Sequence, residues 1–277
     1  MLGEVLPTAT LIDFTLNVCP KKCIPMRSKI ADAIKLKNAP VAILLTDHKP
    51  EKALQFREEK QGNNSERGSN CIIPLFAAAA KGRTAVLEKA TVRCPGGQVG
   101  LCFGKFQLGW IDYFIATGKE GEFEGEYRKK TPELVREFIK SVPDISVRTR
   151  YMVMKPLDEV ADEEVDKVAI VFFIVNPDQL SALATLANFD KPTNDNVITE
   201  WGAGCQSIVL QVLEQARSER PKAVIGLTDI TARKYIDKDV LSFSLPFKRF
   251  LEMEANVDES FLTKDRRDWP EIAERLQ

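Results

Sequence analysis

Val168-Ala169-Ile170-Val171-Phe172-Phe173-Ile174-Val175-Asn176-Pro177-Asp178 is the stretch whose reading sets the fold class. Eight apolar residues in a row, rich in β-branched and aromatic side chains, are too few to cross a bilayer and suit a strand buried on both faces. Asn176-Pro177-Asp178 then starts a helix that runs to about Asn188. A strand handing over directly to a helix is the unit from which α/β domains are built.

The first half of the chain repeats that order. Pro40 opens Val41-Ala42-Ile43-Leu44-Leu45-Thr46, and Lys49-Pro50-Glu51-Lys52-Ala53-Leu54 resembles Asn176-Pro177-Asp178-Gln179-Leu180. The segment 51–58 therefore reads as a short charged helix. Each half continues with a polar loop (61–70 and 189–200), then a cysteine at the head of a helix, then a strand. Cys71 precedes Ile72-Ile73-Pro74-Leu75-Phe76 and an alanine run closed by Gly82, with Pro74 in the first turn and Gly82 as the stop. Cys205 follows Trp201-Gly202-Ala203-Gly204 and leads a helix over 206–217. The expected fold is α/β, a single domain of two similar β-loop-α-β halves. If the likeness reflects duplication, a pseudo-twofold axis relates them and Cys71 faces Cys205 across it. Any α/β fold repeats strand-loop-helix units, so the shared cysteine position is what favours duplication.

The remaining elements fill in around this pair. Helices are expected at 8–18 and 26–37, strands at 84–92, 151–155, 223–227 and 240–245, and helices from Thr131-Pro132-Glu133, Pro246 and near 267–276. A charged, glycine-containing loop is expected over 118–130. One domain spans 1–277, divided into an N-terminal helical segment (1–38), a first half (39–130), a second half (131–255) and a C-terminal helix (256–277).

Composition narrows the function. Lys+Arg 39 against Asp+Glu 40 leaves no large field for nucleic acid or anionic lipid, and no basic stripe accompanies the aromatic residues. No apolar run is long enough to span a membrane, and no leader pattern opens the chain, so a cytoplasmic protein is expected. A single histidine, His48, excludes zinc sites with two or three histidines and disfavours a Ser-His-Asp triad. It lies in a polar exit from the first strand and is expected at the surface.

Six cysteines then carry the candidate chemistry. In a reducing compartment such residues are metal ligands, redox groups or apolar filler. Cys71 and Cys205 at helix starts would sit where partial positive charge favours thiolates and anions. Cys94-Pro95-Gly96-Gly97 suits a ligand turn, since glycine lets backbone pass close to a bulky group and its N–H can bond to sulfide. Cys102, eight residues on, is a candidate fourth ligand or a small apolar residue. The candidate metal ligands are thus Cys71, Cys94, Cys205 and Cys102, with Gly96, Gly97 and Gly204 as cofactor-binding positions. Cys19 and Cys23, flanking Lys21-Lys22, form a separate C-x3-C pair, either exposed or a second metal or redox site.

No phosphate loop is present: Gly100-Leu101-Cys102-Phe103-Gly104-Lys105-Phe106 has the wrong spacing and no Ser or Thr after the lysine. Gly96-Gly97-Gln98-Val99-Gly100 is one residue off a dinucleotide fingerprint. Among carboxylates, Glu200 precedes the Cys205 turn and Asp229 ends a strand, and capping or solvation is the simpler role for each. Arg233 could pair with Asp229 or hold an anionic substrate.

Several segments together resemble the prokaryotic family catalogued as domain of unknown function 169. They are Ala39-Pro40-Val41-Ala42-Ile43, Cys71 with its alanine-rich helix to Lys81-Gly82, Cys94-Pro95-Gly96-Gly97 through Gly100-Leu101, Gly202-Ala203-Gly204-Cys205, and Phe243-Ser244-Leu245-Pro246. The resemblance covers about residues 28–255. It implies an archaeal or bacterial cytoplasmic protein, often of anaerobes, with no attached activity. Its pattern is compatible with Cys71, Cys94 and Cys205 as one constellation, and leaves out Cys102 and the Cys19/Cys23 pair.

Three readings follow. The first is a cysteine-ligated iron–sulfur cluster, a 4Fe-4S cubane, between the halves, with a redox or Lewis-acid role on an unknown small molecule. The second is a metal-free small-ligand-binding module, and the third a thiol-dependent enzyme. The partner is an unknown small molecule or redox protein rather than nucleic acid or membrane, and a homo-oligomer is left open.

Overall fold

The computed structural model describes residues 10–11, 27–55, 71–264, 271 and 274–276. The strands are β1 (Thr10–Leu11), β2 (Val41–Thr46), β3 (Leu54–Gln55), β4 (Ala85–Glu88), β5 (Gly118–Lys119), β6 (Phe123–Glu124), β7 (Ile145–Ser146), β8 (Tyr151–Pro156), β9 (Val168–Val175), β10 (Val197–Ile198), β11 (Ala223–Gly226) and β12 (Leu241–Pro246). The helices are α1 (Lys29–Ala33), α2 (Ile73–Ala80), α3 (Pro95–Gly100), α4 (Ile111–Ile115), α5 (Pro132–Ser141), α6 (Pro177–Phe189), α7 (Gln211–Gln215) and α8 (Phe247–Asn256).

Eight strands form one mixed sheet in the order β10-β11-β12-β9-β2-β8-β4-β3. The outermost pairs at both edges are parallel, and every pair between them is antiparallel. From either edge inward the senses run parallel, antiparallel, antiparallel, and the two series meet at β2–β9. The two apolar runs of the sequence are therefore the two central strands. They are buried on both faces although the sheet is mainly antiparallel, because helices cover both sides.

Alternation along β2 divides the core. Val41, Ile43 and Leu45 face one cluster with α2, α3 and α7, while Ala42 and Leu44 face another with α1, α6 and α8. In β9 the register shifts: Ile43 pairs with Ile170 and Leu44 with Val168. Ala169 is the extra residue, which is why Ala169 and Ile170 join the same face.

Local signals explain the element starts. The Thr131 side chain accepts from Leu134 N–H at the start of α5, and Asn176 and Gln179 form a reciprocal capping box on α6. Gly82, at φ +83, stops the chain after α2.

Several expectations are corrected. Glu51–Lys52 is a turn and Leu54–Gln55 is β3, so no helix fills 51–58, and the likeness to the start of α6 does not extend to its structure. Helix α1 is five residues long rather than spanning 26–37. Thr10–Leu11 is a strand pairing in parallel with Ile145–Ser146, not part of a helix. The 118–130 loop contains the β5–β6 hairpin, and the 189–200 loop contains β10. Cys19, Cys23, most of the expected 8–18 helix and the 61–70 loop lie outside the described residues, as does much of 267–276. No helix among the described residues is long and apolar enough to cross a membrane.

Candidate functional site

Cys71, Cys94 and Cys205 come from three separate segments and line one cavity of about 230 Å³. Cys71 stands just before α2, and the N–H of Ile73 donates to its sulfur. Cys94 is the N-cap of α3, where its Sγ accepts from Gly97 N–H at 3.3 Å. Cys205 precedes a π-helical turn, Gln206–Leu210, that continues into α7. Such turns widen a helix by one residue and recur at functional sites. The Cys205 thiol points its hydrogen towards the Gly96 carbonyl, 3.6 Å away.

A sequence with three glycines in six positions forms α3 only because tertiary packing demands it. A Cβ on Gly100 would lie 2.5 Å from Cys205 Sγ and 3.0 Å from Gln206 N. The helix therefore rides directly on the Cys205 turn, with no room for a larger residue. Gly96, Gly97 and Gly204 all line the cavity, so backbone rather than side chain borders the thiols there.

The three sulfurs feel one another. Burial raises the Cys71 thiol above its ordinary value, opposed by the Ile73 N–H, with the charges of Cys94 and Asp229 adding to the rise. Burial pushes Cys205 well up, and Cys94 and Cys71 push it further. Both are therefore protonated thiols at neutral pH.

Cys102 stands apart. It is buried in the core at φ +58, does not line the cavity, and burial alone pushes its thiol up to about 12. His48 is exposed, as expected. Glu200 does not line the cavity, and its carbonyl accepts from Gln211. Arg233 donates to the carbonyls of Val240, Asp237 and Lys238, not to Asp229.

The far wall of the cavity comes from the long insert between β4 and β8, and the sequence reading missed it. Trp110 stacks on Phe114 with ring centroids 4.6 Å apart, and Phe138 meets Trp201 at 5.4 Å. The Lys129 ammonium lies over both Phe138 and Trp201, at 5.4 and 5.6 Å. Arg128 and Asp229 form an ion pair at the cavity, with side chains only 12% and 10% exposed, and Glu126 Oε2 lies 2.9 Å from Arg128 Nε. Nothing local in Arg128-Lys129-Lys130 distinguishes its arginine from other surface cations. The aromatic signal was present, since two of the chain's three tryptophans, Trp110 and Trp201, border this cavity.

Among the described residues no three Cys, His, Asp or Glu groups converge on one point as ligands of a single ion would. What the elements assemble is three thiols lining a partly enclosed, mostly apolar cavity with aromatic walls.

Fold and site together define an α/β protein with helices on both sheet faces and a three-cysteine cavity on one of them. The family model DUF169, described as uncharacterised ArCR, matches residues 29–256, and the chain belongs to that family. No curated protein and no solved structure matches the chain.

Proposed function

We propose that this protein binds an iron–sulfur cluster, a four-iron cubane, through Cys71, Cys94 and Cys205, and works on a small molecule held in the adjoining aromatic cavity. The observation that carries the reading is the meeting of these three thiols, 23 and 111 residues apart in sequence, at one cavity. Burial and mutual repulsion disfavour the thiolates of Cys71 and Cys205 when no cation is present, and a bound metal would replace their protons with a compensating charge. Gly96, Gly97 and Gly204 line the same cavity, and a Cβ on Gly96 would lie 3.9 Å from Cys94 Sγ.

A bound cluster supplies one-electron transfer or Lewis acidity. The chain's own contribution is placement: Trp110, Phe114, Phe138 and Trp201 offer flat apolar surfaces, and Arg128 with Asp229 supplies the polar end. On this reading the protein works in the cytoplasm, on a small-molecule substrate or with a redox partner.

The same reading sets the site between two related halves about a pseudo-twofold axis. Its support is the sheet, where β3-β4-β8-β2 matches β10-β11-β12-β9 in order, pairing sense and chain sequence. Cys71 precedes the helix between β3 and β4, and Cys205 the helix between β10 and β11.

The test is iron content after anaerobic purification of the wild type and Cys94→Ser. Loss of bound iron in the variant with unchanged folding is expected; equal iron in both would remove Cys94 from the site. The aromatic walls also favour a second reading, a metal-free ligand module, which predicts colourless protein stabilised by a metabolite. A thiol enzyme is the least supported, since burial raises Cys71 and Cys205 rather than activating them.

A further inference from the structure

Asp229 is a buried carboxylate with one oxygen left over. Its Oδ1 accepts three hydrogen bonds: from Arg128 Nη1, from Thr231 N–H at 3.1 Å and from Thr231 Oγ1 at 2.9 Å. Among the described residues Oδ2 has no hydrogen-bond donor, although the side chain is nine-tenths buried and borders the cavity. Oδ2 is not sealed from solvent, so it opens onto the cavity, where another group can take it. The charge of Asp229 reaches both Cys71 and Cys205, so this carboxylate shares their space.

Position in the chain points the same way. In the first half a cysteine-led helix, α2, is followed by β4 and then Cys94. In the second, the helix led by Cys205 is followed by β11 and then Asp229. Cys71 and Cys205 are one matched pair, and Cys94 and Asp229 are the other.

Resting on the cluster reading above, we infer that Asp229 is the fourth ligand, through Oδ2, completing a set of three thiolates and one carboxylate. Arg128 and Thr231 bind the other oxygen and orient the carboxylate, as outer-sphere hydrogen bonds do at metal sites. Carboxylate is a harder and weaker donor to iron than thiolate. The iron at this corner is the one a small molecule can reach, because its ligand is the one most easily displaced. The aromatic walls of the same cavity then select flat, largely apolar molecules.

The test compares wild type with Asp229→Ala, Asp229→Asn and Asp229→Cys, each purified anaerobically and examined without substrate. The readouts are iron and sulfide per chain, the rate of iron loss to a chelator, the electron paramagnetic resonance spectrum after mild oxidation, and the midpoint potential. Wild type is expected to keep four irons. Asp229→Ala and Asp229→Asn are expected to lose one iron at least tenfold faster and to show a three-iron signal. Asp229→Cys should keep four irons at a lower potential. Asn retains the size of Asp and an oxygen for Thr231, so it carries the test if Ala does not fold. Wild-type iron retention, spectrum and potential in the Ala or Asn variant would overturn the inference and leave Asp229 a turn cap paired to Arg128. A wild type without iron or sulfide after anaerobic reconstitution would overturn the cluster reading itself, a result distinct from the first.

Discussion

Asp190 and Asp229 are both aspartates paired with arginine, Asp190 at the surface and Asp229 buried, on opposite faces of the same sheet, and they spend their oxygens differently. On the face covered by α1, α6 and α8, Arg249 is fully buried and grips Asp190 with two parallel bonds, Nη1 to Oδ2 at 2.9 Å and Nη2 to Oδ1 at 2.7 Å. Glu252 and the Ala187 carbonyl take further bonds from the same guanidinium. Asp112 is likewise saturated, by Gly109 N–H on one oxygen and Arg136 Nε on the other. Asp229, on the cysteine face, has one crowded oxygen and one with no donor among the described residues. Both Asp190 oxygens are taken, although Arg249 Nε is buried without a partner among the described residues, whereas one Asp229 oxygen has no donor. The contrast lies in the two carboxylates.

The largest expected effect on stability lies at Asp190. Asp190→Ala strands a fully buried guanidinium, with only Glu252 to compensate, and is expected to cost about 3 kcal/mol in urea unfolding. Asp229→Asn keeps the Thr231 bonds, and Arg128 keeps Glu126, so metal-free protein is expected to lose no more than about 1 kcal/mol. Equal losses in the two variants would break the distinction between the two carboxylates.

Acid sharpens the same contrast. The Arg249 hydrogen bonds hold the Asp190 carboxyl well below the usual carboxylate range. A lowered folded value means that its stabilisation is complete above the unfolded value, about pH 4, and is lost as pH falls towards the folded one. Between about pH 4 and pH 2 the wild type should therefore lose more stability than Asp190→Asn, as read from melting temperatures across that range. Parallel melting curves would deny Asp190 this role.

How much of this was legible follows from the range of each signal. The strands β2 and β9 were readable because continuous apolar runs bounded by turn residues are local, as were the caps Thr131 and Asn176. Leu54–Gln55 was not, because its strand exists only by pairing with Ala85–Val86 across the chain. Glycine-rich α3 was read as a turn, since only the approach to Cys205 makes it a helix. Cys71 and Cys205 were singled out by matching places before helices and Cys94 by its Cys-Pro-Gly-Gly turn, while Arg128 and the aromatic wall have meaning only once the insert folds back over them. Asp229 was noticed, but its capping bonds to Thr231 hid the oxygen that does not cap.

Two smaller effects test the assignments by face. Burial that raises the Cys102 thiol to about 12 should slow its alkylation near pH 8 about a thousandfold relative to unfolded protein. Rapid modification of Cys102 in native protein, located by mass spectrometry, would contradict its place in the core. In β12 the Ser244 hydroxyl is buried with no partner among the described residues, so Ser244→Ala is expected to raise stability by about 1 kcal/mol. A loss instead would mean that the hydroxyl is bonded in solution.

The most direct measurement of the central claim is iron and acid-labile sulfide per chain in wild-type protein purified without oxygen, together with its visible spectrum. The account predicts about four of each and a brown protein with broad visible absorption. Colourless protein that stays free of iron and sulfide after anaerobic reconstitution, with Cys71, Cys94 and Cys205 recovered as free thiols, would contradict it.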